Sequence, residues 1–285
     1  MPAPAPLPAR VGAWSARAPE AARPPALARG RGATRSFVGS QAARRARSSA
    51  RWLRRHVELR PVAALFAIAV LAWALAELTD DVLERDTHAV DTAVLLALRD
   101  AGDPSDPLGP PWMHEVGRDV TALGGVAVLG LLTAAVLGYL WLRGEGRVGW
   151  VLVAGVVGAA SLSQLLKGVF DRPRPDLVPH LSEAYSASFP SGHAAMSAAT
   201  YLVLGMLLAR VHRRREVKAY LVLVGVLLAV LVGVSRVYVG VHWPTDVLAG
   251  WTLGALWAIA VWTVARWVED RRGRVIDPRA PAGAS

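Results

Sequence analysis

The sequence contains no cysteine. Disulfides and thiolate-held metals are therefore excluded, and any chemistry falls to His, Asp, Glu, Ser, Lys or Arg. Lysine is almost absent as well: Lys167 and Lys218 stand against thirty arginines. The preference for Arg and Ala fits a GC-rich bacterial genome and carries no function by itself. Acids are scarce near the N-terminus, where Glu20 and Glu58 are the only two in residues 1–60. Long tracts further on hold no ionisable residue at all. A soluble domain would spread its charge more evenly. Here a net charge of +10 and a 53% hydrophobic content are kept apart along the chain. Segregation of this kind marks a membrane protein with basic flanks.

Residues 1–60, rich in Pro, Ala and Arg, show little apolar periodicity and read as a disordered basic tail near an anionic membrane surface. The first apolar segment lies too far from the start for a signal peptide, and no aromatic or motif pattern supports nucleic-acid binding. Six apolar segments follow, at about 61–78, 120–142, 148–166, 194–209, 219–235 and 245–265. At ~1.5 Å per residue they cross a hydrocarbon core of ~30 Å, the shorter ones marginally. Lipid offers no partner to an open backbone group, so they must be helical. Gly124, Gly130, Gly138, Gly155 and Gly158 suit close helix packing. The expected fold is all-α: a six-transmembrane-helix bundle over residues 61–268, with a cytoplasmic C-terminal tail over 269–285.

The longest connection runs from about Thr79 to Asp119. Val90, Val94, Leu95 and Leu98 share a helical face there, with Asp86, Asp91 and Arg99 largely elsewhere. A short amphipathic helix on the membrane surface and an ordinary solvated loop helix both fit. Basic residues set the orientation. With the N-terminus inside, inner segments carry 25 of the 32 Lys and Arg and outer segments 7. Both termini are then expected in the cytoplasm, in a multi-pass protein of the cell membrane.

That topology places three polar clusters on the outer face. Lys167 to Pro175 ends the third segment, Pro190-Ser191-Gly192-His193 opens the fourth, and Ser235-Arg236 ends the fifth just before His242-Trp-Pro-Thr-Asp246. Lys167, Arg174 and Arg236 converge there, either pairing with Asp171, Asp176 and Glu183 or cradling an anion. The Ser191-Gly192 helix start favours the anion, because its free N–H groups and macrodipole point outward. His242 and Asp246 are four residues apart and share a helix face. A carboxylate on one ring nitrogen fixes the tautomer and sharpens the other as a nucleophile. His193, on the same side, can serve as an acid towards a leaving oxygen. A lone interfacial histidine is usually a polar cap; two in such company are harder to explain that way.

In order, Lys-x6-Arg-Pro, Pro-Ser-Gly-His and Ser-Arg-x5-His-x3-Asp resemble the three signature motifs of the type 2 phosphatidic acid phosphatases, the superfamily that also holds vanadium haloperoxidases and glucose-6-phosphatase. All three match without a substitution, and the resemblance extends over residues 61–268. It implies that His242 attacks phosphorus and becomes a phosphohistidine, with Asp246 orienting it. His193 would protonate the departing oxygen and then activate water. Lys167, Arg174, Ser191, Gly192 and Arg236 would bind the phosphoryl oxygens. No cofactor or metal is implied, since the cations do the neutralising. His242 must be neutral and His193 protonated, so a bell-shaped pH–rate profile is expected.

The expected substrate is a lipid phosphate in the outer leaflet, with undecaprenyl pyrophosphate ahead of phosphatidic acid and phosphatidylglycerol phosphate. A phosphotransferase of the same fold would share the phosphohistidine step. A transporter would often show internal repeats and broken helices near the midplane, and neither is evident. A silent lipid-binding homologue would tend to have lost His193, His242 or Asp246. The sequence carries no code for oligomeric state.

Overall fold

In a computed structural model the chain divides into two units, Met1–His56 and Val57–Ser285. The structure describes residues 59–182 and 186–275, all within the second unit. The expected basic tail therefore lies outside the described residues, except that Leu59 and Arg60 already belong to the first helix.

The described residues form eight helices and no strand, only an isolated bridge between Arg99 and Pro107. They are α1 (Leu59–Glu84), α2 (His88–Leu96), α3 (Pro111–Ala122), α4 (Val126–Leu142), α5 (Gly146–Phe170), α6 (Gly192–Val211), α7 (Arg215–Tyr238) and α8 (Pro244–Val275). Five of them, α1 and α5 to α8, are long and apolar enough to cross a membrane, and α3 with α4 adds a sixth if that bent pair is one span. α1 exposes Leu65, Phe66 and Trp73, and α7 exposes Leu223 and Leu227. An apolar exterior of this kind would aggregate in water and is at home in lipid.

The second span departs from the straight helix expected over 120–142. α3 and α4 meet at a 48° bend around Leu123-Gly124-Gly125. A Cβ on Gly124 would sit 2.4 Å from Val232 Cγ1 and 3.3 Å from the His193 carbonyl, so the break lets this turn press against α7 and the start of α6. The packing role expected for glycines holds at Gly124 and at Gly158, whose Cβ would meet Trp257 at 2.3 Å. It fails at Gly130 and Gly138, where nothing lies within 4 Å.

α6 is the central helix, with 61% of its apolar window buried against α5, α7 and α8. Its inward face is a run of small residues, Ala194, Ala195, Ala198 and Ala199, and α8 meets it with Gly250 and Gly254. A Cβ on Gly254 would fall 2.3 Å from the Ala195 carbonyl, and one on Gly250 2.6 Å from that of Ser191. Such small-residue contact brings two membrane helices to backbone distance, so the polar starts of α6 and α8 lie side by side. α8 itself runs on to Val275, past the boundary expected at 268, and residues 276–285 of the expected tail lie outside the described residues.

The short helix expected in the longest connection exists as α2, but its faces do not divide by polarity. Val90 and Val94 are exposed, while Asp91 and Leu95 are fully buried and Arg99, just beyond, is 4% exposed. Periodicity placed the acid on the water side because it counts only apolar residues. Asp91 is inside because it has partners there.

Candidate active site

Lys167 lies in the last turn of α5, Ser191 caps α6, Gly192 and His193 begin it, Arg236 is in the last turn of α7, and Asp246 is in the first turn of α8. Arg174 and His242 sit on the adjoining loops. Helix ends are where backbone groups lack partners, and the bundle gathers four such ends at one pole. The eight residues singled out from the sequence thus come together. The charges of Arg236, His242, Lys167 and Arg174 all act on His193, and those of Arg174, Asp246 and Arg236 on Lys167.

His242 is the centre of the site and is 1% exposed. Its Nδ1 faces Asp246 Oδ2 at 3.3 Å and Ser188 Oγ at 3.4 Å. Asp246 Oδ2 also accepts from the Trp243 backbone N–H at 2.9 Å and from the Ser188 hydroxyl. An acceptor-only carboxylate on Nδ1 requires the proton there. That leaves Nε2 unprotonated, and it accepts from Arg174 Nη1 at 3.3 Å. Burial pushes the His242 pKa down to about 3; Arg236 and Arg174 push the same way, and Asp246 opposes them. The ring is therefore neutral, the form a nucleophile needs.

Among the described residues, the cations around Nε2 lack acidic partners. Lys167, 7% exposed, donates to Ser186 Oγ at 3.3 Å and to the Ala187 carbonyl. Arg174 donates to the Ser186 and Val241 carbonyls at 2.9 and 2.7 Å, and burial sets its pKa below the ordinary value, with Asp246 opposing. Arg236, 2% exposed, has a buried Nε without a partner. Neither Asp171 nor Asp176 forms an ion pair with any of the three, and Glu183 lies outside the described residues. The Ser191 hydroxyl is buried and makes no cap bond. Buried polar atoms are normally satisfied, so an unpartnered Arg236 Nε and Ser191 hydroxyl beside two further cations bonded only to neutral oxygens, at a helix N-terminus, suit an anion with several oxygens.

Four polar residues escaped the sequence reading: Asp91, Arg172, Ser188 and Thr245. Arg172 pairs with Asp246 at 2.6 Å and with Asp91 at 2.7 Å. Its only sequence signal was its place between Lys167 and Arg174, and Asp91 gave none beyond being an acid in a connection.

The site's geometry can be set beside known proteins. The PAP2 superfamily model matches residues 148–270, which hold the eight residues singled out from the sequence but not Asp91. The chain is 36% identical over 148 residues to phosphatidylglycerophosphatase B of Bacillus subtilis, covering 51% of this chain and 72% of that protein. It is 36% identical over 104 residues to an undecaprenyl-diphosphatase of Sulfolobus acidocaldarius, covering 36% of this chain and 45% of that protein. The fold resembles the crystal structure of a transmembrane PAP2-type phosphatidylglycerolphosphate phosphatase from Bacillus subtilis. That likeness has a TM-score of 0.56 at 27% identity and covers 77% of this chain and 98% of the other. Sequence, fold and the order of the polar helix ends agree, and the chain belongs to the PAP2 superfamily.

Proposed function

We propose that this protein is a multi-pass membrane phosphatase that hydrolyses a lipid phosphate or lipid diphosphate through a phosphohistidine at His242. The observation that carries the proposal is a buried, neutral imidazole whose unprotonated Nε2 faces cations without acidic partners among the described residues. The cradle of Lys167, Arg174, Arg236, Ser191 and the Gly192 N–H holds the non-bridging oxygens. Nε2 then forms a bond to phosphorus as the bond to the lipid oxygen breaks. His193 donates the proton that oxygen takes up, and Asp246 stabilises the cationic ring. In the second step His193 removes a proton from water, the oxygen attacks phosphorus, and inorganic phosphate leaves His242. Donors aimed at developing charge supply the larger share, since removing one typically costs about 2.7–4 kcal/mol.

Six spans, counting α3 with α4 as one, would leave both termini on one side of the membrane, which this reading takes as the cytoplasm, with the site at the outer surface. The excess of basic residues on the inner segments supports that orientation. An outer-leaflet head group would reach the pole where α5 and α7 end. Phosphatidylglycerol phosphate and undecaprenyl pyrophosphate are the leading substrates, with phosphatidic acid behind them. The test is phosphate release by the purified protein from each lipid in excess EDTA. Release that persists under chelation is expected, because protein cations neutralise the phosphoryl group. Loss of release on chelation, or transfer to an added acceptor in place of release, would overturn the hydrolytic mechanism.

The depressed His242 pKa alters the pH behaviour expected from unperturbed histidines. The neutral ring persists until the pH falls towards 3, so the nucleophile is fully available from pH 5 upward. The acid limb of a bell-shaped profile then cannot come from His242 in the free protein. In the ligand-free protein, the nitrogen shifts of His242 should keep neutral-imidazole values from pH 8 down to 5. A titration midpoint between 6 and 7 would contradict this.

A further inference from the structure

Behind His242, on the side away from the cradle, lies a buried polar network that the proposed chemistry does not use. Asp91 projects from α2 into the start of α8. Its Oδ1 accepts the Thr245 backbone N–H at 2.9 Å, and its Oδ2 accepts the Thr245 hydroxyl at 2.6 Å. The same Oδ2 accepts Arg172 Nη2 at 2.7 Å. Arg172 Nη1 then donates to Asp246 Oδ1 at 2.6 Å and to Thr245 Oγ1 at 2.8 Å. Asp91 and Asp246 are fully buried, Thr245 is 5% exposed, and the Arg172 side chain is 13% exposed. The guanidinium also sits 5.6 Å from the centre of the Trp243 ring and lines a cavity of about 340 Å³ bounded by the outer end of α1, α2 and the Phe170–Asp176 turn.

We infer that Arg172 and Asp91 are positioning residues that act through Asp246, fixing the carboxylate that orients the His242 ring. The inference rests on the phosphohistidine reading above. A carboxylate alone on a ring nitrogen can rotate and present either oxygen. With Oδ1 held by Arg172, only Oδ2 is left for Nδ1–H, and the ring is locked with Nε2 towards the cradle. Asp91 has two tasks. By capping the Thr245 N–H it ties the first outer connection to the first turn of α8. By sharing the guanidinium it keeps Arg172 from neutralising Asp246 outright. Two acids and one arginine leave one negative charge in the network, next to the ring that turns cationic as phosphorus is attacked. In a site of low dielectric such a fully bonded network holds its geometry, whereas a partly bonded one does not. Orienting partners of catalytic or metal-binding groups are commonly worth ~10- to 100-fold in activity.

The experiment uses the full chain in detergent with a lipid phosphate that the wild type hydrolyses. Arg172→Ala is expected to lower kcat by ~10- to 100-fold with KM nearly unchanged, since no cradle contact is lost. Guanidinium ion added at millimolar concentration should restore kcat saturably, entering from the cavity that the side chain lines. Asp91→Asn, nearly isosteric, is expected to give a smaller fall in kcat, and thermal unfolding checks that each variant is folded. In an Asp246→Asn background, Arg172→Ala should have no further effect on kcat, because its route to the ring is already cut. Losses that multiply in the double variant, a change in KM with kcat intact, or a folded Arg172→Ala protein with wild-type kcat and no response to guanidinium would each overturn the inference. If Arg172→Ala does not fold, the Asp91→Asn and Asp246→Asn pair decides by the same criterion. Absence of phosphate release by the wild type would sink the phosphatase reading itself, a separate result.

Discussion

His242→Ala should retain about one ten-thousandth or less of wild-type kcat, the scale of loss seen when a nucleophile that acts as one unit with its base is removed. The cradle would be untouched, so lipid phosphate should still bind and KM should move little. Mixing the protein with labelled substrate and quenching in base, which preserves a phosphorus–nitrogen bond, should trap label on the wild type and none on the variant. Asp246→Asn should fall between the two. It keeps an oxygen near Nδ1, yet loses the negative charge that stabilises the cationic ring and can present its amide nitrogen to the ring instead. Label retained by His242→Ala would place the nucleophile elsewhere.

Arg236→Met should lower kcat/KM by about 100- to 1000-fold, the consequence of losing one charged donor to a phosphoryl oxygen. The same substitution should raise the thermal midpoint of the ligand-free protein. Arg236 is 2% exposed with an unpartnered Nε and no acidic partner among the described residues. A buried charge without compensation costs several kcal/mol, and an apolar side chain of similar reach removes that cost. Inorganic phosphate should stabilise the wild type, by about 2.7 kcal/mol at a hundred times its Kd, and should stabilise the variant far less. A variant that is both less active and less stable, with an undiminished phosphate response, would show that Arg236 serves the fold instead of the anion.

The pairing of those two effects explains why the polar pole sits where it does. Cations without counterions are tolerable at helix ends next to the membrane surface, where water or a phosphate can reach them. They would be prohibitive at the midplane. α5 and α7 end there with their carbonyls, α6 and α8 begin there with their N–H groups, and the small-residue contact of Gly250 and Gly254 with α6 holds the two starts together. The same contact hydrogen-bonds the Ser191 N–H to the Asp246 carbonyl at 2.9 Å. The anion site and the His242–Asp246 pair are thus parts of one junction.

Much of this was determined by the sequence alone. Hydropathy placed the apolar segments, because lipid demands long runs of one character and satisfied backbones. Spacing paired His242 with Asp246 correctly, though not through a shared helix face, since His242 precedes the helix that starts at Pro244 and reaches Asp246 from the adjoining loop. The three motifs marked the helix ends that carry the cations, and the alternation of the last four helices brings those ends to one pole. These are local or counting properties, and a linear chain displays them. The tertiary structure decided the rest. Only packing could show that the second span breaks at Gly124 and Gly125, that Gly130 and Gly138 touch nothing, or that α2 turns Asp91 inward. The Asp91–Arg172–Asp246 network joins residues up to 155 positions apart through three different elements. Asp91 is buried because partners from distant segments meet it, and sequence periodicity, which registers apolar residues alone, contains no trace of that meeting.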